Sequence, residues 1–353
     1  MTIAFDHTTP PQRVLFRAGA AVASTVLAAE SLDARRILLI ADHFADELAE
    51  AVAAAVPVVA RIHDVVQHVP VEHGRAAVAT AESANADAVI SIGGGSATGL
   101  AKVVARDTGL PIIAIPTTFA GSEATEVWGQ TEGERKTTGR DPRVLPAVVV
   151  YDADLLAGLP AHLVTSSGLN AVAHAVDGFW APNANPINQA MGTEALRALV
   201  PGLRRLHADD ADAEARELAL YGAYFAGVAF SSAGSGLHHR LCHVLGGAYN
   251  LSHSEMHAIV LPYVTARNAP AAPDAAARVS SVFDGAPAAK ALYDLKVDLG
   301  IPAGLRDLGM PESAIPAAAQ LALPAVPPTN PVPIDLADLT SLVRAAWAGE
   351  PIR

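Results

Sequence analysis

The chain has 353 residues, a formal net charge of −12 and a single cysteine. That length exceeds one ordinary core and predicts two domains. The acidic balance, with no basic run, argues against nucleic-acid binding, and a lone thiol excludes an intramolecular disulfide and fits a reducing cytoplasm. No apolar run of about 18 residues escapes charges or breakers, so no membrane partner is expected. The start, MTIAFDHTTPPQRVLF, lacks the basic and apolar blocks of a signal peptide. A cytoplasmic protein acting on small molecules is the expectation.

The first half alternates strand and helix signals. Val14–Phe16 reads as a strand, Ala18–Ser31 as a helix and Ile37–Ile40 as a buried strand ending in Ala41-Asp42. An acid just past such a strand can accept hydrogen bonds from a ribose diol or cap the next helix, here Phe44–Ala54. An alternating segment over Val58–Val66 and a helix over Ala76–Ala84 follow, then a strand over Ala88–Ile92. That strand runs into Gly93-Gly94-Gly95-Ser96 and a helix over Ala97–Arg106. Strand, glycine turn and helix N-terminus form a cradle for a pyrophosphate, with N–H groups aimed at the anion. A strand at Pro111–Ile115 leads to Pro116-Thr117-Thr118, whose hydroxyls suit a nucleotide or a capped turn. A polar hairpin over Gly129–Arg143 places Lys136 near its bend, and Ala147–Tyr151 completes a largely parallel, helix-covered sheet.

From about residue 156 the strands stop, so an α/β domain over 1–155 and an all-helical domain over 156–353 are expected, with a cleft between them. Helices are predicted over Leu163–Val176, Asn188–Leu203, Ala213–Ala229, Ala258–Ala266, Val279–Leu299 and Asp335–Trp347, with proline breaks at Pro182, Pro186, Pro201 and Pro262. Asn170 and His174 share a face at i, i+4. Gly236–His257 carries five histidines, His238, His239, His243, His253 and His257. His239 and His243 stack at i, i+4 on a helix, Gly246-Gly247 loosen the backbone, and His253 follows a polar turn. Such a set can hold a divalent metal or place proton donors beside an anionic substrate. Cys242, off the His239/His243 face, reads as a buried structural thiol.

These motifs resemble the group III, iron-containing alcohol dehydrogenase family and, within it, the maleylacetate reductases. The resemblance covers most of the chain. It rests on GGGSATGLAK at 93–102, PTTFAGSEATEVWG at 116–129, SGLNAVAHAVDGF at 167–179, GLHHRLCHVLGGAYNLSHSEMHAIVLPYV at 236–264, and the IPAGLRDLG and TNPVP tracts. It implies a dehydroquinate synthase-like architecture, an NAD(P)-binding α/β domain followed by a helical domain, and a homodimer. Family metal positions would fall on Asn170, His174, His239 and His253, with His243 beside the nicotinamide. Cofactor contacts would fall on Asp42, Gly94, Gly95, Ser96, Thr117, Thr118 and Lys136.

Two departures stand out. Gly99 replaces the acid of the usual GGGS-x-x-D, and Asn170 replaces the carboxylate ligand. A neutral amide is a weaker ligand and neutralises no charge. The resemblance to maleylacetate reductases implies an enzyme that needs no metal. It also implies reduction of the C=C bond of maleylacetate, a dicarboxylate, to 3-oxoadipate with NADH or NADPH, late in aromatic-compound breakdown. On that reading His243 donates a proton or partners an oxyanion, His253, His239 and His174 shape the catalytic pocket, and Asn170, His238, Arg240 or Lys136 hold the substrate. The alternatives are a metal-dependent alcohol dehydrogenase or ketone reductase on the same fold, a metal-dependent sugar-phosphate cyclase and a non-catalytic nucleotide sensor. A dense Lys/Arg phosphate pocket, which the cyclase needs, is missing from the second half.

Overall fold

A computed structural model describes residues 4–133 and 135–353, without the side chains of Arg135 and Lys136. The chain forms two compact units, one spanning Thr9–Leu159 and the other Pro160–Arg353 together with residues 4–8. Among the described residues no helix is long and apolar enough to cross a membrane.

The first unit holds strands β1 (Arg13–Phe16), β2 (Ile37–Ala41), β3 (Val58–Ile62), β4 (Ala88–Gly93), β5 (Ile112–Pro116), β6 (Val127–Glu132), β7 (Arg135–Arg140) and β8 (Val148–Tyr151). Six of them form a sheet in the order β1-β8-β5-β4-β2-β3, every neighbouring pair parallel, while β6 and β7 form a separate antiparallel hairpin. The helices between them are α1 (Ala21–Ser31), α2 (Asp46–Ala55), α3 (Val71–Ser83) and α4 (Gly95–Thr108).

The continuous apolar runs of β2, β4 and β5 follow from burial on both faces. Alternate residues enter different cores: Ile37, Leu39, Ile90 and Ile113 pack with Ala28 and Val52 of α1 and α2. Leu38, Ile40, Val89 and Ala114 pack with Ala77, Leu100 and Val104 of α3 and α4. Two expected boundaries move. The segment expected to extend to Val66 leaves the sheet after Ile62, and α3 starts at Val71, five residues earlier than its alanine pattern indicated. Pro70 stands as the N-cap with extended backbone, and its carbonyl accepts the first helical bond from Gly74 N at 3.0 Å.

The second unit is built from α5 (Ala161–Gly178), α6 (Pro186–Ala208), α7 (Ala213–Ala233), α8 (Leu237–Tyr249), α9 (His253–Asn268), α10 (Pro273–Ser280), α11 (Ala288–Asp298), α12 (Ile315–Ala322) and α13 (Leu336–Ala348). Pro201 and Pro262 do not break the chain as expected but lie inside α6 and α9. A proline removes one backbone hydrogen bond, a loss that long, tightly packed helices sustain. The α5–α6 approach is one such packing, close enough that a side chain at Gly168 would collide with Leu203. Conversely, the predicted helix over Val279–Leu299 is interrupted, with Asp284 and Gly285 at positive φ between α10 and α11. Gly246 and Gly247 do not loosen α8, which continues to Tyr249 and ends at Asn250 in the left-handed region. Asn185 caps α6 by accepting from Ile187 N and Asn188 N, and its amide nitrogen lies 3.3 Å from His7 Nδ1.

Lys102 pins the first unit from within. Its ammonium donates to Ser122 O, Thr125 O, Thr125 Oγ1 and Val127 O at 2.7–2.9 Å. Burial pushes the amine down to about 7, and the Glu123 carboxylate opposes that shift. Glu123 is itself pushed up by burial and accepts from the Tyr151 hydroxyl at 2.6 Å. Lys102 therefore ties α4 to the loop that follows β5. Lys102→Met leaves those buried oxygens without a donor and is expected to lower the unfolding free energy by about 2–3 kcal/mol, read by chemical denaturation.

Candidate active site

In the first unit, the connections from β2 and from β4 run to opposite sides, β2 to β3 and β4 to β5. The crevice between the carboxyl ends of β2 and β4 is the topological switch point, where open α/β sheets take their ligands. Asp42 stands there, half-buried, its backbone N–H donating to Ile92 O at 3.3 Å. Its carboxylate is 3.5 Å from Phe44 N, so the capping role is present.

Across the crevice Gly93 adopts φ +145°, a conformation that side chains rarely tolerate. A β-carbon at Gly94 would come within 2.9 Å of Thr118 Cγ2, whereas Gly95 faces open space. No side chain caps α4, so the N–H groups around Gly95 and Ser96 are left for an anion. Thr117 N donates to Gly93 O at 3.1 Å and brings the Thr117-Thr118 turn against the glycines. Asp42, Gly94, Gly95, Ser96, Thr117 and Thr118 are thus brought together, and their cradle fits a pyrophosphate with an adjoining ribose. The Lys136 side chain lies outside the described residues.

The second unit assembles the histidines from three helices. Asn170, His174 and Asp177 line one face of α5 at i, i+4, i+7. His238, His239 and His243 come from α8, and His253 and His257 open α9 one turn apart. The His174 and His239 rings stack with centroids 4.8 Å apart, and Phe230 of α7 packs on both at 4.6 and 4.3 Å. His257 lies 4.7 Å from His239 and 4.2 Å from His253, and His253 stacks on His243 at 6.3 Å.

Two tiers result. His174, His238, His239 and His257 are buried, while His243 and His253 are half-exposed. Burial, reinforced by neighbouring imidazoles, pushes His174, His239 and His257 well below the usual histidine range. His238 is lowered by burial too, against the opposing pull of Asp177. The inner tier is therefore neutral. Cys242 is buried with its thiol pushed well up by burial.

Asp177, absent from the expected residues, organises this arrangement. Its fully buried carboxylate accepts from the backbone N–H groups of Gly236, His238 and His239 at 2.9, 3.2 and 3.3 Å. It also lies 3.0 Å from His239 Nδ1 and 3.3 Å from Trp180 Nε1. The i+3 spacing from His174 was the available signal. His257 too lies closer to the cluster's centre than the sequence indicated.

Of two expected substrate ligands, one is committed elsewhere and the other is partly engaged. His238 is fully buried, with Nε2 2.9 Å from His257 O and Nδ1 3.2 Å from His239 Nδ1, so it presents no donor to a carboxylate. Arg240 donates to Ser235 O and Ala325 O.

The donor set bears on iron. His174 Nδ1, His239 Nε2 and both ring nitrogens of His257 are buried without a hydrogen-bond partner, which suits a divalent cation in kind. The ligating atoms of His238, His239 and His257 lie within 4.8 Å of one another, but His238 has both nitrogens engaged. The anionic ligand is missing: residue 170 is an amide, and Asp177 is turned to N–H donors. Neutral donors alone do not fit an iron site of the carboxylate-containing kind.

The buried neutral rings make stability depend on acid. Above the unfolded histidine value of about 6.5 both states are neutral. Below it the unfolded chain binds protons that the folded inner tier refuses, so stability falls with pH. Thermal melts should drop between pH 7.5 and 5.5, and His257→Phe should flatten that slope.

Comparison with known proteins adds the family. Residues 11–153 match the family described as iron-containing alcohol dehydrogenase, and residues 164–347 match the C-terminal part of the Fe-containing alcohol dehydrogenase family. The chain is 47% identical over 286 residues, 81% of each chain, to the maleylacetate reductase of Sphingobium indicum. It is 42% identical over 353 residues, 99% of each chain, to that of Pseudomonas sp. strain P51. The crystal structure of maleylacetate reductase from Rhizobium sp. strain MTP-10005 superposes with a TM-score of 0.93 at 40% identity, covering 99% of both chains. With both halves matched and near-complete coverage of its relatives, the chain belongs to the iron-containing alcohol dehydrogenase family.

Proposed function

We propose that the protein is a maleylacetate reductase, which uses NADH or NADPH to reduce the C=C bond of maleylacetate to 3-oxoadipate without a required metal. The observation that carries this is the neutral histidine cluster beside Asn170, in a chain whose near-full-length relative at 42% identity bears that name. A bound nicotinamide supplies the hydride to one carbon of the activated double bond. The protein's own task is to deliver a proton to the neighbouring carbon and to stabilise negative charge on the conjugated oxo group.

His243 and His253 suit that task. They are the half-exposed members of the cluster, stacked at 6.3 Å, and so the two rings that a substrate can reach. The inner rings and Phe230 exclude water and hold the outer pair in place. In the first unit, α4's uncapped N-terminus takes the pyrophosphate and Asp42 the adenosine ribose, an arrangement favouring NADH because the carboxylate opposes a 2′-phosphate. The dicarboxylate's other contacts fall to residues other than His238, both of whose ring nitrogens are engaged, and Arg240 keeps N–H groups beyond the two it gives to Ser235 O and Ala325 O. A cytoplasmic homodimer completes the reading.

Purified protein should oxidise NADH or NADPH, followed by absorbance, when maleylacetate is added; no rate above background with either removes the reductase reading. Stoichiometric zinc or iron whose chelation abolishes turnover and whose return restores it removes the metal-independent part. His243→Ala should lower kcat by about 10²-fold, the usual contribution of a positioned acid. Gly94→Val, which crowds Thr118, should instead raise KM for NADH with little change in kcat.

A further inference from the structure

The hydrogen-bond chain behind His239 determines which of its nitrogens carries hydrogen. His238 Nε2 lies 2.9 Å from the backbone oxygen of His257. A carbonyl only accepts, so His238 carries its hydrogen on Nε2, and in the neutral ring its Nδ1 is a lone pair. That lone pair lies 3.2 Å from His239 Nδ1, and the Asp177 carboxylate lies 3.0 Å from the same atom. His239 Nδ1 therefore faces two acceptors and must be the N–H. The two constraints come from different helices, α5 through Asp177 and α9 through the His257 carbonyl, and they agree. What remains on the neutral His239 ring is a lone pair at Nε2, buried and without a partner.

We infer that Asp177 and His238 together lock His239 as its Nδ1–H tautomer, so that His239 accepts a hydrogen bond at Nε2 and does not deliver the proton of the reaction. Asp177 is a positioning residue acting through His239. The lock also selects what can lie against His239. A substrate carbonyl oxygen would meet it lone pair to lone pair, whereas an O–H, an N–H or a cation is accommodated. An oxo group is thereby turned away from His239 toward donors elsewhere in the cluster. The statement about proton delivery rests on the reductase reading; the tautomer itself does not.

The test uses the full chain with ¹⁵N-labelled histidine, its His239 signals assigned by their loss in His239→Gln. In the wild type, His239 should show a protonated Nδ1 and an unprotonated Nε2. A protonated Nε2 in the neutral ring overturns the lock, whether or not maleylacetate is turned over. Asp177→Asn replaces one acceptor oxygen by an N–H donor, and a population with hydrogen on Nε2 should appear. In the same variant kcat should fall at least tenfold while the dissociation constant for NADH stays within twofold, and Asp177→Glu should recover part of the rate. A purely structural role would lower the folded fraction without altering the tautomer of the molecules that remain folded; that outcome removes Asp177 from the lock. If Asp177→Asn fails to fold, the wild-type spectrum still decides the tautomer, and His238→Phe, which removes the second acceptor, tests the other half.

Discussion

A single buried carboxylate organises the helical unit. Asp177 projects from α5 into the first turn of α8, where three backbone N–H groups, the Trp180 indole N–H and the His239 ring converge on it. The unsatisfied amides of a helix start favour an anion, and few arrangements compensate a fully buried carboxylate so completely. The bond fixes the rotation of α8 about its axis against α5. His239 is thereby set against His174, and its neighbours follow: His238 turns to the α9 carbonyl, and His243 is left on the outer side. A negative charge that touches none of the outer histidines thus sets where they stand.

The site combines two kinds of imidazole from one short stretch of sequence. Crowding four rings in a buried interior disfavours protonation of each by desolvation, and at His174, His239 and His257 repulsion by neighbouring imidazoles adds to it. The outer two retain contact with water. Chemically identical side chains therefore divide into a buried framework and a half-exposed pair by depth alone. The first unit shows a related economy: Lys102, equally buried, keeps its charge useful by gathering oxygens from one loop.

Much of this was legible in the residues. Strands buried on both faces read as unbroken apolar runs, and the glycine turn between β4 and α4 needs a backbone that only glycine supplies at position 93. The i, i+4 pairs in α5 and α8 announced shared faces. What failed were inferences from local breakers. Pro201 and Pro262 each weaken a helix locally, yet packing against neighbours holds α6 and α9 continuous, whereas Asp284 and Gly285 ended a helix that alanine content favoured. His238 looked like a free donor because its partner is a backbone carbonyl 19 residues away, which no side-chain pattern encodes. Asp177 had the right spacing, but a helix start as its partner is a tertiary fact.

The small contact between His7 and Asn185 bears on how the chain is made. The α/β unit is contiguous, so it can fold as soon as it clears the ribosome. The residues just ahead of it belong with helices synthesised much later, and Asn185, which starts α6, lies 178 positions downstream of its His7 neighbour. Residues 4–8 must therefore stay undocked through the synthesis of an entire domain. The helical unit, although it looks like a separable half, is completed by residues made before the α/β unit.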